Sequence, residues 1–282
     1  MRPPVNSSTL HVLHTLRLVC TAEAPLSHAE ISRRTDLPST TVYRALSTLE
    51  EAQYVQRSQG TTGYEAGIMP QLLLWTLLKR FALAAAGTPF LTRLAELSGG
   101  TASLHMRLGW YALRISVVYG GDDIYHRDRL GEVVLPHADP GSRSLFAFQS
   151  DDAFGAYRKF VLRHHEDAAR EIDRPQTRRD VETAREAGYA IAESSLDDLP
   201  AVFSIPLRDQ TGRAMAAIAL SVAAFDGAQS RGIPEPWRAV LTDFERLLAA
   251  QPALFASPYG HLAAEDIVIK LQKRPRGDAR DR

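Results

Sequence analysis

Polar side chains that can recognise a nucleic acid lie along one face of a helix predicted over residues 40–52. Arg44 can donate two parallel hydrogen bonds to guanine, while Thr40 offers a hydroxyl to phosphate or base and a methyl group to thymine. The helix N-terminus at Ser39 can meet a phosphate, and a turn predicted after the helix adds groups that could reach the DNA backbone or the minor groove. The predicted DNA-contacting set is Ser39, Thr40, Thr41, Arg44, Ser47, Gln59, Thr61 and Thr62.

Three helices and a hairpin are predicted to position this face. Apolar residues recur at helical spacing through residues 8–20, and Ser27 and Glu30 form a capping box at the start of a second, short helix. Ser39 is the predicted N-cap of the third helix. A strand, a glycine-containing turn and a returning strand follow over 54–65. This order predicts a winged helix-turn-helix domain.

Composition removes several alternative functions. Cys20 is the single cysteine, so the chain has neither a disulfide framework nor a thiolate metal site. The apolar stretch 71–86 is too short to span a bilayer and no signal core starts the chain, so we expect a cytoplasmic protein with no membrane partner. Motifs of serine hydrolases, zinc proteases and phosphate-binding loops are missing, so we expect no enzyme and no cofactor. The chain has 33 basic and 33 acidic residues, so its net charge does not support DNA binding. The prediction of DNA binding therefore depends on the helix-turn-helix sequence pattern.

The rest of the chain mixes helices with strand hairpins. Residues 67–98 are predicted to be helical in two pieces, broken at 87–89, where Gly, Thr and Pro follow one another. Alternating apolar residues predict strands over 101–108 and 112–119 and a late hairpin over 201–223. Further helices are predicted at 141–149, 151–165, 176–187 and 235–250, the third of them closed by Gly188. An antiparallel sheet covered by helices, an α+β fold, accounts for this order.

Four segments follow from the order of the elements. The winged helix-turn-helix domain takes residues 1–66, and a linker helix takes 67–87. An α/β domain, with its antiparallel sheet covered by helices, takes 88–271. Residues 272–282 form a basic, proline-containing tail that we expect to be disordered.

The run over 26–49, LSHAEISRRTDLPSTTVYRALSTL, resembles the helix-turn-helix of the IclR family of transcription regulators, typically L-S-x-x-E-I-A-x-x-x-G-L-P-x-S-T-V-x-R-L-L-x-T-L. Asp36 replaces the usual turn glycine, which is tolerable because aspartate can adopt left-handed conformations. Other pieces match the family in the same order, at 64–67, 91–99, 185–190 and 205–212. The resemblance implies a regulator that binds double-stranded operator DNA through its winged helix and a small organic effector through its C-terminal domain.

The resemblance also implies where the effector would bind, in a pocket lined by a small-residue loop and by the late hairpin. Ala192, Val202 and Ala223 stand where family members that bind small acids often have polar residues. A small acid needs convergent donors to offset its desolvation, so we expect a larger, less polar effector such as an aromatic acid. Arg143 could meet its carboxylate and His105 could supply a donor; otherwise Arg143 is solvated and His105 is a structural or surface residue. The full predicted set is His105, Gly141, Ser142, Arg143, Val202, Ser204, Ser221 and Ala223.

Two other functions stay open. The altered pocket could have lost its ligand, or the chain could be a sensor or enzyme module whose winged helix binds a protein. His126 with Asp128 could touch a metal, but we expect no metal site. The first helix and the helix at 67–86 carry more leucine and alanine than one small domain can bury, so we expect a homodimer or a dimer of dimers.

Overall fold

The computed structural model describes residues 6–22, 24–78, 81–120, 130–192, 201–222, 232–256 and 263–269. The chain divides into two compact units, residues 1–80 and 81–282. The first unit contains the predicted DNA-contacting residues, and the second contains the predicted effector-contacting residues. Ala223, His126, Asp128 and the predicted tail 272–282 lie outside the described residues.

Three helices form the body of the first unit: α1 (Ser7–Cys20), α2 (His28–Thr35) and α3 (Ser39–Glu51). Val19, Ile31 and Leu46 belong to their common core, because apolar residues repeat every three or four positions and line one face of each helix. Asp36 ends α2 with a left-handed backbone, φ 56°, as the sequence predicts. This residue lets the chain turn directly into α3.

A short hairpin follows α3. Strands β1 (Val55–Arg57) and β2 (Tyr64–Ala66) pair antiparallel, and the guanidinium of Arg57 lies 4.4 Å from the ring centre of Tyr64. Helix α4 (Ile68–Leu78) comes next. The winged helix-turn-helix plan is confirmed.

The second unit is organised around a six-stranded antiparallel sheet in the order β5-β4-β3-β8-β7-β6. Its strands are β3 (Thr101–Leu108), β4 (Tyr111–Val118), β5 (Val133–Val134), β6 (Ala190–Ala192), β7 (Ala201–Arg208) and β8 (Ala214–Val222). Successive side chains of a strand alternate between faces. One face therefore carries rows such as Leu104, Ile218 and Ile205, while the opposite face carries the row Ser103, Ala219 and Ser204.

Helices cover both faces of this sheet. The apolar face packs against α5 (Ala82–Ser98) and α10 (Glu235–Ala250), where Phe90 and Phe244 stack with ring centres 4.5 Å apart. The face with the serines is covered by a 3-10 turn, Pro140–Ser142, and by α6 (Arg143–Ala147). The remaining helices are α7 (Asp151–His164), α8 (Glu166–Ile172) and α9 (Pro175–Ala187). This arrangement confirms the α+β class.

The predicted helix break at 87–89 is wrong, because α5 runs through these residues to Ser98. Gly87 serves close packing: a Cβ there would lie 3.0 Å from the side chain of Leu104 and 3.2 Å from that of Phe244. Burial of α5 against the sheet thus outweighs the hydrogen bond lost at Pro89. No single helix of the described ranges has the length and apolarity of a membrane span; α4 and α5 reach them only when taken as a pair.

Two helix starts differ from the sequence interpretation. Ser39 is the first residue of α3, and the N-cap position falls on Pro38, which has no capping side chain. Ser27 caps α2 as predicted, its hydroxyl accepting from the Glu30 amide at 3.2 Å. The carboxylate of Glu30, however, accepts hydrogen bonds from Arg33 and Arg34. The capping box is therefore confirmed for the Ser27 hydroxyl and not for the Glu30 carboxylate. Helix α8 was not predicted.

Candidate functional site

The outer face of α3 holds the centre of the predicted DNA-contacting set. Val42, Ala45, Leu46 and Leu49 are buried, and the opposite side of the helix faces solvent. Thr40, Arg44 and Ser47 lie exposed on that side, while Thr41 is half-buried. The guanidinium of Arg44 has no ion-pair or hydrogen-bond partner within the described ranges.

Neighbouring arginines are held by acidic residues. Both Arg33 and Arg34 donate to the carboxylate of Glu30, and these hydrogen bonds lower the pKa of Glu30 to about 2. Arg57 lies 3.7 Å from the carboxylate of Glu50. Arg44 is therefore the cation of the helix-turn-helix best placed to meet DNA.

The hairpin turn presents the remaining predicted residues. Gln59, Thr61 and Thr62 are exposed, and the hydroxyl of Thr61 accepts from the amide of Gly63 at 3.2 Å, which closes the turn. Ser39 is exposed, and its carbonyl oxygen accepts from Nε2 of His28 at 3.1 Å. This bond ties the start of α3 to the start of α2.

Sequence reasoning missed Tyr43. Its side chain is 63% exposed on the outer part of α3, next to Arg44. Its only signal in the sequence is its place one residue after Val42, outside the buried stripe.

In the second unit, the 3-10 turn lies close against the serine-bearing face of the sheet. A Cβ on Gly141 would lie 2.8 Å from Cβ of Ala219 and 3.2 Å from Cε1 of His105, so this approach requires glycine. Ser204 donates from its hydroxyl to the carbonyl of Gly141 at 2.9 Å and accepts from the amide of Ser144 at 3.0 Å. Ser142 donates from its amide and its hydroxyl to Asp139, at 2.9 and 2.8 Å. The hydroxyl of Ser204 thus fastens the turn to the sheet, while the hydroxyl of Ser142 stabilises the turn internally through Asp139.

His105 lies beneath this turn and is completely buried. Its Nε2 accepts from Arg114 at 3.2 Å and lies 3.0 Å from the hydroxyl of Ser103. Its Nδ1 has no hydrogen-bond partner among the described residues and lies 3.8 Å from Oδ2 of Asp139. Burial and the charge of Arg114 lower the pKa of His105 to about 4, so the imidazole is neutral at pH 7.

Arg143 has an ion-pair partner within the chain. Its guanidinium lies 3.6 Å from the carboxylate of Asp180 on α9, and its side chain is 21% exposed, so it is not a fully solvated residue. Its contact with an effector carboxylate stays a prediction.

One row across four strands brings two predicted residues together with one that was missed. Thr101, Ser221, Val202 and Ala192 are direct partners in register across β3, β8, β7 and β6, so their side chains share one face. Thr101 is 1% exposed and Ser221 4%, and neither hydroxyl has a hydrogen-bond partner among the residues that the structure describes. The sequence alternation places Thr101 on the face of His105, but its pairing with Ser221 follows only from the topology.

A groove of about 350 Å³ lies elsewhere, against the opposite face of β7, and is lined by residues including Tyr189, Ile205, Arg208, Arg238 and Leu241. None of the predicted effector residues lines it. Within the described ranges, no three His, Cys, Asp or Glu side chains cluster in a way that suits a metal ion.

Comparison with known proteins matches both units. The model of the IclR helix-turn-helix domain matches residues 8–59, and that of the bacterial transcriptional regulator IclR C-terminal domain matches residues 75–235. The repressor AllR of Escherichia coli is 27% identical over 69% of this chain and 72% of its own length. The transcriptional regulator SauR of Cupriavidus necator is 31% identical over 49% of this chain, which spans about half (51%) of that relative.

Among solved structures, an IclR homologue from Microbacterium hydrocarbonoxydans complexed with 4-hydroxybenzoate shares the fold, with a TM-score of 0.63 at 17% identity over 86% of this chain and 98% of that one. The two family models, in this order along the chain, match a winged helix-turn-helix and a helix-covered sheet that are both present in the structure. The chain belongs to the IclR family of DNA-binding transcriptional regulators.

Proposed function

We propose that a small organic acid, bound on the serine-bearing face of the C-terminal sheet, modulates DNA binding by this regulator. The observation that carries the proposal is the pair of buried hydroxyls of Thr101 and Ser221, which have no hydrogen-bond partner in the described part of the chain. A buried hydroxyl without a partner costs about 1–3 kcal/mol. Two of them side by side favour a site whose hydrogen bonds are completed by a ligand.

The same row indicates the class of ligand. Beyond the two hydroxyls stand Val202 and Ala192, both partly accessible and apolar. Adjacent strands are about 4.8 Å apart, so one planar ring can contact Ser221 and Val202 together. A ligand with a polar group over Thr101 and Ser221 and a ring over Val202 and Ala192 would match this row, and an aromatic acid has both parts. The complex of the Microbacterium homologue with 4-hydroxybenzoate supports this choice.

On the DNA side, α3 enters the major groove of the operator, as the second helix of a helix-turn-helix does. Thr40, Arg44 and Ser47 meet base edges, Ser39 and Thr41 lie near the backbone at the start of the helix, and Gln59, Thr61 and Thr62 contact the DNA from the wing. The module ends at residue 66 and acts on DNA in the cytoplasm.

A homodimer provides the second helix that specific binding needs. Exposed apolar side chains on α1 and α4 support the pairing, since one copy leaves Leu13 51% and Trp75 65% accessible. Helix α4 alone also exposes Ile68, Leu72, Leu73 and Leu77. A concentration of exposed apolar side chains of this kind normally marks an interface. A dimer of dimers would join two of these units.

Thermal shift of the full chain tests the ligand class. We expect 4-hydroxybenzoate and benzoate to raise the melting temperature, and pyruvate and glyoxylate to have a smaller effect. In Thr101→Val and Ser221→Ala, loss of an unpartnered hydroxyl should stabilise the free protein while the shift with aromatic acids shrinks. Exposed Thr92→Val is the matched control and should keep the full shift.

The competing function is a regulator whose pocket no longer binds a ligand. It predicts no shift with either class of acid, in wild type and variants alike. A shift with the small keto acids alone would show that the apolar half of the row has been assigned to the wrong ligand.

A further inference from the structure

Tyr43 projects from the middle of α3 without a partner among the described residues. Its ring is 63% exposed, and it makes no hydrogen bond or ring contact with any residue in the described part of the chain. A tyrosine that served the fold would bury its ring or bond its hydroxyl. Tyr43 does neither, so its side chain is free to meet a partner.

The position of Tyr43 on the helix says which partner. Residues three and four apart are neighbours on a helix surface, so Tyr43 lies beside Thr40, one turn before it, and Ser47, one turn after it. Those two residues and Arg44 form the exposed face opposite the buried stripe. An aromatic ring is therefore set among polar groups that face DNA.

We propose that Tyr43 is a specificity-determining residue that reads a thymine through its 5-methyl group. The proposal rests on DNA binding by the helix-turn-helix. Base edges in the major groove present hydrogen-bonding groups, with the thymine methyl as the apolar exception. When the ring of Tyr43 is desolvated on binding, packing against that methyl group gives it the most favourable contact. The guanidinium of Arg44 and the hydroxyls of Thr40 and Ser47 suit the polar base edges instead.

A phosphate contact from the hydroxyl of Tyr43 is the competing role, and it would give affinity without sequence preference. Tyr43→Phe keeps the ring and removes the hydroxyl, while Tyr43→Ala removes both. Neither change removes a hydrogen bond or a ring contact among the described residues, and alanine is the better helix former. Both variants should fold with a stability equal to or above that of wild type.

The test starts from a pool of duplexes with a randomised centre, from which wild type, Tyr43→Phe and Tyr43→Ala each select their sites. We expect wild type and Tyr43→Phe to require thymine at one position that Tyr43→Ala leaves unconstrained. Replacing that thymine by deoxyuridine, which lacks only the methyl, should weaken wild type and Tyr43→Phe about fourfold and leave Tyr43→Ala unchanged. Tyr119→Ala, which removes a tyrosine 58% exposed in the other unit, is the matched control and should select the wild-type site.

Three results would overturn the assignment: an unchanged site for Tyr43→Ala, the same loss in Tyr43→Phe as in Tyr43→Ala, or no effect of deoxyuridine on wild type. Failure of wild type to enrich any sequence would instead refute sequence-specific binding by the whole domain. The two failures are thus distinguishable.

Discussion

Replacing Arg44 by alanine removes the guanidinium on the outer face of α3. Unlike Arg33, Arg34 and Arg57, it forms no ion pair with an acidic residue in the described ranges. The side chain is exposed and has no partner in the described ranges, and alanine favours the helix, so the free energy of unfolding should not fall. Any loss of DNA affinity can then be attributed to the interface.

The expected size follows from the contact that the geometry allows. A bidentate contact between arginine and guanine is worth about 1–3 kcal/mol, which is roughly a 5- to 150-fold loss of affinity for the selected site. A base contact leaves affinity for unrelated DNA almost unchanged. A phosphate contact would instead weaken binding to all sequences and reduce the slope of log K against log salt by about 0.9.

Fluorescence anisotropy at several salt concentrations, on the selected duplex and on a scrambled one, separates these cases. Arg33→Ala is the matched control, because that guanidinium lies on the same domain but is held by Glu30. We expect a large specific loss for Arg44→Ala and a small, sequence-independent one for Arg33→Ala. Wild-type affinity in Arg44→Ala, or an equal loss on both duplexes, would refute the assignment of Arg44 to a base.

Three further predictions concern stability and assembly. His105 and His137 are buried and neutral, with pKa values near 4 against the ordinary 6.5, so the unfolded chain takes up protons first as the pH falls. The free energy of unfolding of the second unit should therefore be at its full value above pH 6.5 and should fall by up to about 3 kcal/mol for each histidine as the pH drops to 4. A free energy of unfolding in urea that does not change between pH 7 and pH 5 would contradict this. The hydroxyl of Thr15 is buried and has no hydrogen-bond partner within the described ranges, so Thr15→Val should stabilise the first unit by roughly 1 kcal/mol in a denaturant titration. A loss of stability would show that this hydroxyl is satisfied. Light scattering at micromolar concentration should give a dimer or larger for wild type and a shift toward monomer for Trp75→Lys, and a monomeric wild type would contradict the apolar pairing surface.

Local signals in the sequence were sufficient to predict the winged helix-turn-helix fold of the first unit. The Ser27 cap, the left-handed Asp36 and the apolar repeat of α3 act within a few residues, and each is found where the sequence predicts it. Helix α3 begins one residue earlier than predicted. Ser39 is its first residue, and Pro38 occupies the N-cap position without a side-chain hydrogen bond.

The errors in the second unit have long-range causes. The sequence predicts a helix break at 87–89, but Gly87 is a packing site whose neighbours Leu104 and Phe244 come from other elements. The ion pair of Arg143 with Asp180 was likewise not predicted, because α9 brings Asp180 to it. Contacts between residues of different elements cannot be obtained from the local sequence pattern.

The same limit applies to the candidate ligand site. Sequence reasoning identified Ser221 and Val202 through the family resemblance, and the alternation of β3 placed a polar face near His105. Only the strand order sets Thr101 opposite Ser221 and shows that the hydroxyl of Ser204 already holds the turn at Gly141.

The most direct test of a ligand-responsive regulator is the affinity of the full chain for its selected duplex during a titration with 4-hydroxybenzoate. A ligand changes DNA affinity only if it binds the two states of the protein unequally, and such couplings are typically about 5- to 150-fold. We predict a change of at least about fivefold in wild type that is lost in Ser221→Ala. An affinity that stays constant up to saturating aromatic acid, or one that responds to pyruvate and glyoxylate alone, would contradict the account.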